Sequence, residues 1–305
     1  MKKMKRKINY LLSGLLIGCF SFFVACDDDN GDGDSDLPPI DGYNSSDEVA
    51  SDNLVAHWTF NDTEQETISG TDPEATYGTV GFTDGKLGRA LDLNAGALVY
   101  PPIEAINQEN SLSNYTVSSW VNVMNNGSAF TTFFGLFPTD NADFWGNLSL
   151  SAETGWFPPE GGAGDTLVLK TNYLSQNSDG TTNSQDNRPD PRGNPPVGVL
   201  KATGEWVHFV VRFTASSHML EIFANGESIG AYSNRGENTT ELVMRTPVQA
   251  VFGSLATSNI GFAMAPEMPA WQVLATAGVD DVRVFDTSLS NAEITALYNL
   301  GSAGR

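Results

Sequence analysis

From Asn53 onward the chain is a succession of short apolar runs, most of them alternating in period two and each closed by Gly, Asn, Asp or Pro. Successive side chains of a strand point to opposite faces, so this pattern makes half-buried strands rather than helices. Residues 54–60 place Leu54, Ala56, Trp58 and Phe60 on one face. Residues 115–123 place Tyr115, Val117, Ser119, Val121 and Val123 on one face. Runs at 206–213, 219–224, 228–232 and 278–285 continue the series. Asn225-Gly226 lies between two of them, the dipeptide that best tolerates the two positive φ angles of a tight hairpin. Strands at this spacing predict an all-β fold, a two-sheet antiparallel β-sandwich.

One helix is expected, near the C-terminus. Ser290-Asn291-Ala292-Glu293 has the form of a capping box, with Ser as N-cap and Glu three residues later. Ile294, Leu297 and Tyr298 then share a face, and Gly301 is placed to end the helix, which is expected to seal one edge of the sandwich.

Charge divides the 305 residues into three pieces. Residues 1–25 carry five bases and no acid. Residues 26–52 carry ten acids and no base. Residues 53–305 carry 27 acids and 11 bases. The overall charge of −21 excludes a nucleic-acid binder, which needs a cationic face toward phosphates. The basic start, the apolar run over 8–25 and the small residues that close it describe a secretory signal. Phe23-Val24-Ala25-Cys26 resembles the lipoprotein box of bacteria, which implies cleavage after Ala25 and lipidation of Cys26. Cys19 leaves with the signal, so the mature chain is expected to hold no disulfide and no cysteine metal site or nucleophile. Asp27-Asp28-Asp29 resembles the acidic export signal that sends some lipoproteins to the outside of the outer membrane. The remainder of 26–52 lacks periodicity and reads as an acidic, flexible tether. A calcium loop starting at Asp28 fails, because its twelfth position is Pro39 rather than a bidentate Glu.

The folded part, 53–305, resembles the laminin-G-like, concanavalin A-like jelly roll of bacterial surface proteins. The residues that carry the resemblance are Leu54 to Asp62, Gly85-Lys86-Leu87-Gly88-Arg89-Ala90-Leu91, Tyr115 to Val121, Gly204-Glu205-Trp206-Val207-His208, Ile222-Phe223-Ala224-Asn225-Gly226 and Val279 to Phe285 followed by Leu289 to Ile294. The fold hosts many activities, so the resemblance speaks to architecture before function. It also implies a structural Ca²⁺ near the sandwich edge, with Asp62, Asp280 and Asp281 as its carboxylates. Adjacent in a strand, Asp280 and Asp281 are expected on opposite faces. Residues 138–200 depart from the pattern. They are long and rich in Gly, Asn, Asp and Pro, and read as a loop or excursion over one face.

No catalytic residue emerges. The E-x-D-x-E strand of laminarinase relatives, which lines up carboxylates by period two, is absent. Gly226-Glu227-Ser228-Ile229-Gly230 matches the nucleophile-elbow pattern but sits between two strands, not between strand and helix. His57, His208 and His218 lack metal-ligand spacing. Trp58, Trp120 and Trp206 are expected in the core. Trp145, Trp156, Tyr173 and Trp271 lie in or beside the irregular region and are the candidates for stacking on sugar rings. The chain is thus expected to be a lipid-anchored outer-surface protein that binds a polysaccharide or glycoconjugate without catalysis, beside an outer-membrane glycan importer. It touches membrane only through its anchor. A protein-binding adhesion module and a glycoside hydrolase or lyase are the alternatives.

Overall fold

In the computed structural model the described residues are 37–127, 129–153, 164–176, 182–191, 193, 196–233 and 244–305. The expected signal sequence, Cys26, the Asp27–Asp29 run and Trp156 lie outside them. The six runs read as strands do become strands, β1 (Leu54–Trp58), β4 (Tyr115–Val123), β11 (Trp206–Thr214), β12 (Met219–Ala224), β13 (Glu227–Ser233) and β15 (Ala275–Phe285), and the described residues hold nine more: β2 (Ala75–Asp84), β3 (Arg89–Val99), β5 (Phe130–Pro138), β6 (Leu148–Glu153), β7 (Thr166–Leu167), β8 (Leu169–Gln176), β9 (Thr182–Asn187), β10 (Leu200–Lys201) and β14 (Val248–Phe252). The segment 138–200 is therefore not simply a loop. Its described residues supply β6, β8 and β9, which extend the larger sheet, and β7, which pairs with β10 in a separate two-stranded sheet.

The strands form two antiparallel layers. The first runs β13-β12-β11-β4-β15, with β1 beside the second half of β15. The second runs β14-β5-β6-β8-β9. The β2–β3 ribbon joins them, because β3 pairs with β15 through Leu91 to Gly96 and with β14 through Leu98 and Val99. Register slips between Tyr77 and Thr79 and between Ala275 and Thr276, on either side of Ala95 at φ 47°, turn the ribbon from one layer to the other. Gly78 is required there. A Cβ on it would lie 1.7 Å from the Ala95 carbonyl oxygen. The Asn225-Gly226 turn has both φ angles positive, 52° and 80°, and closes the β12–β13 hairpin as expected.

The inward faces make the main core. Val117 and Val121 of β4 and Val207, Phe209 and Val211 of β11 meet Phe133, Phe134 and Leu136 of β5 and Leu148 and Leu150 of β6. Phe133 and Phe209 touch across the layers with ring centres 6.3 Å apart. Trp58 is fully buried against Tyr100, Phe134 and Phe252, at 5.3–5.6 Å.

The helix α1 (Asn291–Ser302) starts with the full capping box, Ser290 accepting from the Glu293 N–H and Glu293 from the Ser290 N–H. It covers the outer face of the first layer rather than an edge. Ile294, Leu297 and Leu300 pack on Val210, Phe223 and Phe285. Trp120 is buried on this outer face, stacked on Tyr298, and not between the layers. Gly301 lies within the last turn, where a Cβ would stand 2.6 Å from the Trp120 Nε1. Close approach, not helix termination, explains that glycine. Trp206 is half-buried, its ring against Gly278.

Part of the acidic stretch expected to be a tether is folded instead. From Pro38 it belongs to the folded unit. Val49 is buried in the α1 cluster, and Ser46 and Asp47 accept hydrogen bonds from Arg283.

Candidate functional site

The outer face of the second layer carries the densest combination of rings and charges. Along β6 and β8, Leu148, Leu150, Leu169 and Tyr173 point inward, so the alternate positions Glu153 and Lys170 point outward. Lys170 is only 4% exposed. An ammonium at that depth needs partners, and it has them on three strands and a loop. Its Nζ lies 2.8 Å from Glu153 Oε1 and 3.0 Å from Asp186 Oδ2 of β9. It also sits 4.9 Å from the centre of the Phe130 ring and 5.4 Å from that of Trp145, within cation–π range.

Two loops bring the rings. Asp143 Oδ1 accepts from the Trp145 N–H at 2.8 Å, the side-chain-to-backbone turn that Asp forms readily. Asn147 then clasps both backbone groups of Arg245, and so fixes the exit of this loop. On the other side the Phe130 N–H donates to the Trp271 carbonyl at 2.8 Å, and the buried Gln272 donates to Ser254. Trp145 and Trp271 stack at 5.8 Å and 15°. Phe130 stands edge-on to both, and Phe144 edge-on to Trp271. Trp271 keeps 41% of its surface exposed. Phe130, Trp145, Trp271, Glu153, Lys170 and Asp186 line a cavity of about 410 Å³. Beside it Asn172, two positions from Lys170 on the same face and in register with Asp186, is 1% exposed, and its side-chain amide has no hydrogen-bond partner.

The structure thus unites two of the four aromatic candidates, Trp145 and Trp271. Tyr173 is corrected: it is fully buried in the main core against Phe213, because its parity in β8 points it inward. Lys170, Glu153, Asp186 and Phe130 were missed. The alternation of Leu169-Lys170-Thr171-Asn172-Tyr173 carries the signal, since it sets Lys170 and Tyr173 on opposite faces.

The three carboxylates assigned to calcium do not make a cation site. Asp281 is 5% exposed, and its oxygens take the Arg283 Nε at 3.0 Å, the Arg283 Nη2 at 2.9 Å and the His57 Nε2 at 2.8 Å. A guanidinium occupies the place a divalent cation would need. Burial pushes the Asp281 carboxyl up, but the Arg283 charge and the hydrogen bonds from His57 and Arg283 outweigh it and hold the group well below the usual carboxylate range. Asp280 accepts the Lys86 and Leu87 N–H groups through Oδ2 at 2.6 and 2.9 Å, and its Oδ1 has no partner. Asp62 is exposed and pairs with Arg89. Among the described residues no three His, Cys, Asp or Glu side chains are grouped to hold a metal ion. Asp280 and Asp281 are also not on opposite faces. β15 bulges between Asp280 and Arg283, with Asp281 at φ 47°, and both carboxylates lie on the outer side of the first layer.

No protein-family model matches the chain, and no curated protein matches it. Solved structures do. The binding domain of botulinum neurotoxin DC, in complex with rat synaptotagmin II, is 14% identical with a TM-score of 0.53 over 82% of this chain and 52% of that one. The binding domain of Paraclostridial Mosquitocidal Protein 1 is 16% identical with a TM-score of 0.52 over 81% and 52%. The botulinum neurotoxin DC binding domain in complex with SialylT is 14% identical with a TM-score of 0.51 over 84% and 52%. At these identities the likeness establishes the β-sandwich fold, and this chain spans about half the length of those chains.

Proposed function

We propose that this protein is a non-catalytic glycan-binding module displayed at the cell surface. The observation that carries the reading is the joining of Trp145 and Trp271, distant in sequence, on one cavity with the Lys170–Glu153–Asp186 cluster. A pyranose presents a C–H face that stacks on an indole, and its hydroxyls need donors and acceptors at the rim. A cavity with an aromatic wall and a few converging polar groups has that chemistry. The reading is in keeping with the use of this fold for binding in the toxin domains, one of them solved with SialylT.

Binding of the full chain to a glycan array, followed by titration calorimetry, tests it. Trp271→Ala is expected to weaken the hit at least tenfold, about 1.4 kcal/mol. Because the ring is half exposed, the melting temperature should hold. A silent array, or a hit indifferent to Trp271→Ala, sinks the reading. A silent array with a captured protein partner would favour the adhesion module, and released sugar would favour a hydrolase or lyase.

The address belongs to the same proposal. Lipidation at Cys26 and the following acidic run would place the domain on the outer membrane, facing outward, where it could deliver glycan to an importer. Radiolabelled palmitate should label the chain and fail to label Cys26→Ala. Equal labelling of both would overturn the anchor.

A further inference from the structure

A second cavity, of about 430 Å³, lies where the free edges of the two layers meet, between β9 and β13. Arg188, Asp190, Tyr232 and Ser233 line it, and so does Asp186, which also lines the aromatic cavity. The two spaces are therefore neighbours across one carboxylate. Asp186 Oδ2 stands 3.0 Å from the Lys170 Nζ on the aromatic side and 3.4 Å from the Arg188 Nη1 on the other. The Gln185 side chain donates to the Ser233 carbonyl at 3.0 Å and ties the β9 and β13 edges together beneath.

From this juxtaposition we infer that the two cavities form one groove that takes several consecutive units of a linear, uncharged glycan, one end stacked on Trp271 and Trp145 and the other read by Arg188, Asp190 and Tyr232. The inference rests on the glycan-binding reading and deepens it. Each cavity alone falls within the size range of ligand pockets, about 300–1,000 Å³, so together they exceed what a single sugar fills. Their chemistries differ in the way successive subsites require. The aromatic side offers an indole face. The edge side offers a guanidinium, a carboxylate and a half-buried phenol for hydroxyls. Glu153, Asp186 and Asp190 outnumber Lys170 and Arg188 along the walls, and the folded part of the chain is acidic, so a polyanionic glycan meets net repulsion.

The test is calorimetry of the full chain with ladders of β-glucan, xylan, mannan and chitin oligomers, from monosaccharide upward, with polygalacturonate as the anionic control. For the ladder that binds, affinity should rise at least tenfold between short and long oligomers and then level. Arg188→Gln should remove most of that rise and leave the shortest bound oligomer unchanged, whereas Trp271→Ala should weaken both. Polygalacturonate should not bind. The groove is overturned if affinity is independent of length, if Arg188→Gln weakens short and long oligomers alike, or if the polyanion binds best. In each of these cases the glycan reading itself survives. If no oligomer of any length binds and the array is silent, the reading beneath it fails instead. The length dependence of the unsubstituted chain decides the matter even if a variant does not fold.

Discussion

Replacing Asp281 by Asn is expected to cost about 3–5 kcal/mol of folding stability, the usual penalty for removing one member of a buried ion pair. The cause is what stays behind. Arg283 is 2% exposed, and without Asp281 its guanidinium keeps only Ser46 and the solvent-exposed Asp47. The same change frees His57 from its carboxylate partner. Urea denaturation would show the loss as a lower midpoint with an unchanged slope. Removing both partners, as in Asp281→Leu with Arg283→Met, should cost less than Asp281→Asn alone, because no charge is then stranded. The penalty should also be the same in calcium and in EDTA, since the guanidinium occupies the place of a cation. The sign with pH follows from the lowered carboxyl. Its stabilisation is complete above the ordinary value of 3.8 and is lost as pH falls through the lower folded value. Acid unfolding of the unsubstituted protein should therefore steepen below about pH 4, and Asp281→Asn should lack that limb. A loss under about 1 kcal/mol would show that the pair is not the lock on this face.

The second large effect lies beside it. His208 is 1% exposed, with Nε2 2.8 Å from the Ser118 hydroxyl and Nδ1 without a partner. Burial, with Arg283 adding and Asp281 opposing, pushes it down to about 3 from an ordinary 6.5. Protons then bind the unfolded chain more readily, so this group makes stability rise with pH between about 3 and 6.5, by an amount on the order of 4–5 kcal/mol. Asp280 does the reverse. Burial and the nearby Asp281, against two backbone hydrogen bonds, push it up to about 7 from 3.8. Its contribution is present at low pH and is lost as pH rises through about 4 to 7. Over about pH 4–6.5 the two slopes oppose, and the unsubstituted protein should change little. His208→Asn should expose a fall with rising pH, and Asp280→Asn a rise. Melting temperatures across that range measure both, and parallel profiles for the three proteins would refute the balance.

These two clusters mark where the sequence stopped being legible. The strands β1, β4, β11, β12, β13 and β15, the Asn225-Gly226 hairpin and the Ser290 capping box are local, and residue type and spacing were enough to place them; β2, β3, β5 and β14 were not singled out. Asp280 and Asp281 were expected on opposite faces because alternation holds only while a strand stays regular, and one left-handed residue cancels it. The β6–β9 region hid for another reason. Its outward positions include Ser149, Ser151, Lys170 and Asn172, all buried although polar or charged, so the strands lack the apolar signature that burial usually leaves. Of the candidate site, the exposed aromatics were legible by elimination, since Trp145 and Trp271 fit no strand pattern. That they meet over Lys170 is a tertiary fact, written in the Asp143 turn and the Phe130–Trp271 backbone bond.

The way the chain enters its folded part has a mechanical consequence. Pro38 begins the unit on the α1 side of the sandwich, where its carbonyl accepts from Arg305 and the following residues are pinned by Arg283. The stacked tryptophans occupy the opposite flank, beyond the second layer. A force or a bulky label applied at Pro38 would therefore act on the α1 side of the sandwich and leave the stacked tryptophans uncovered.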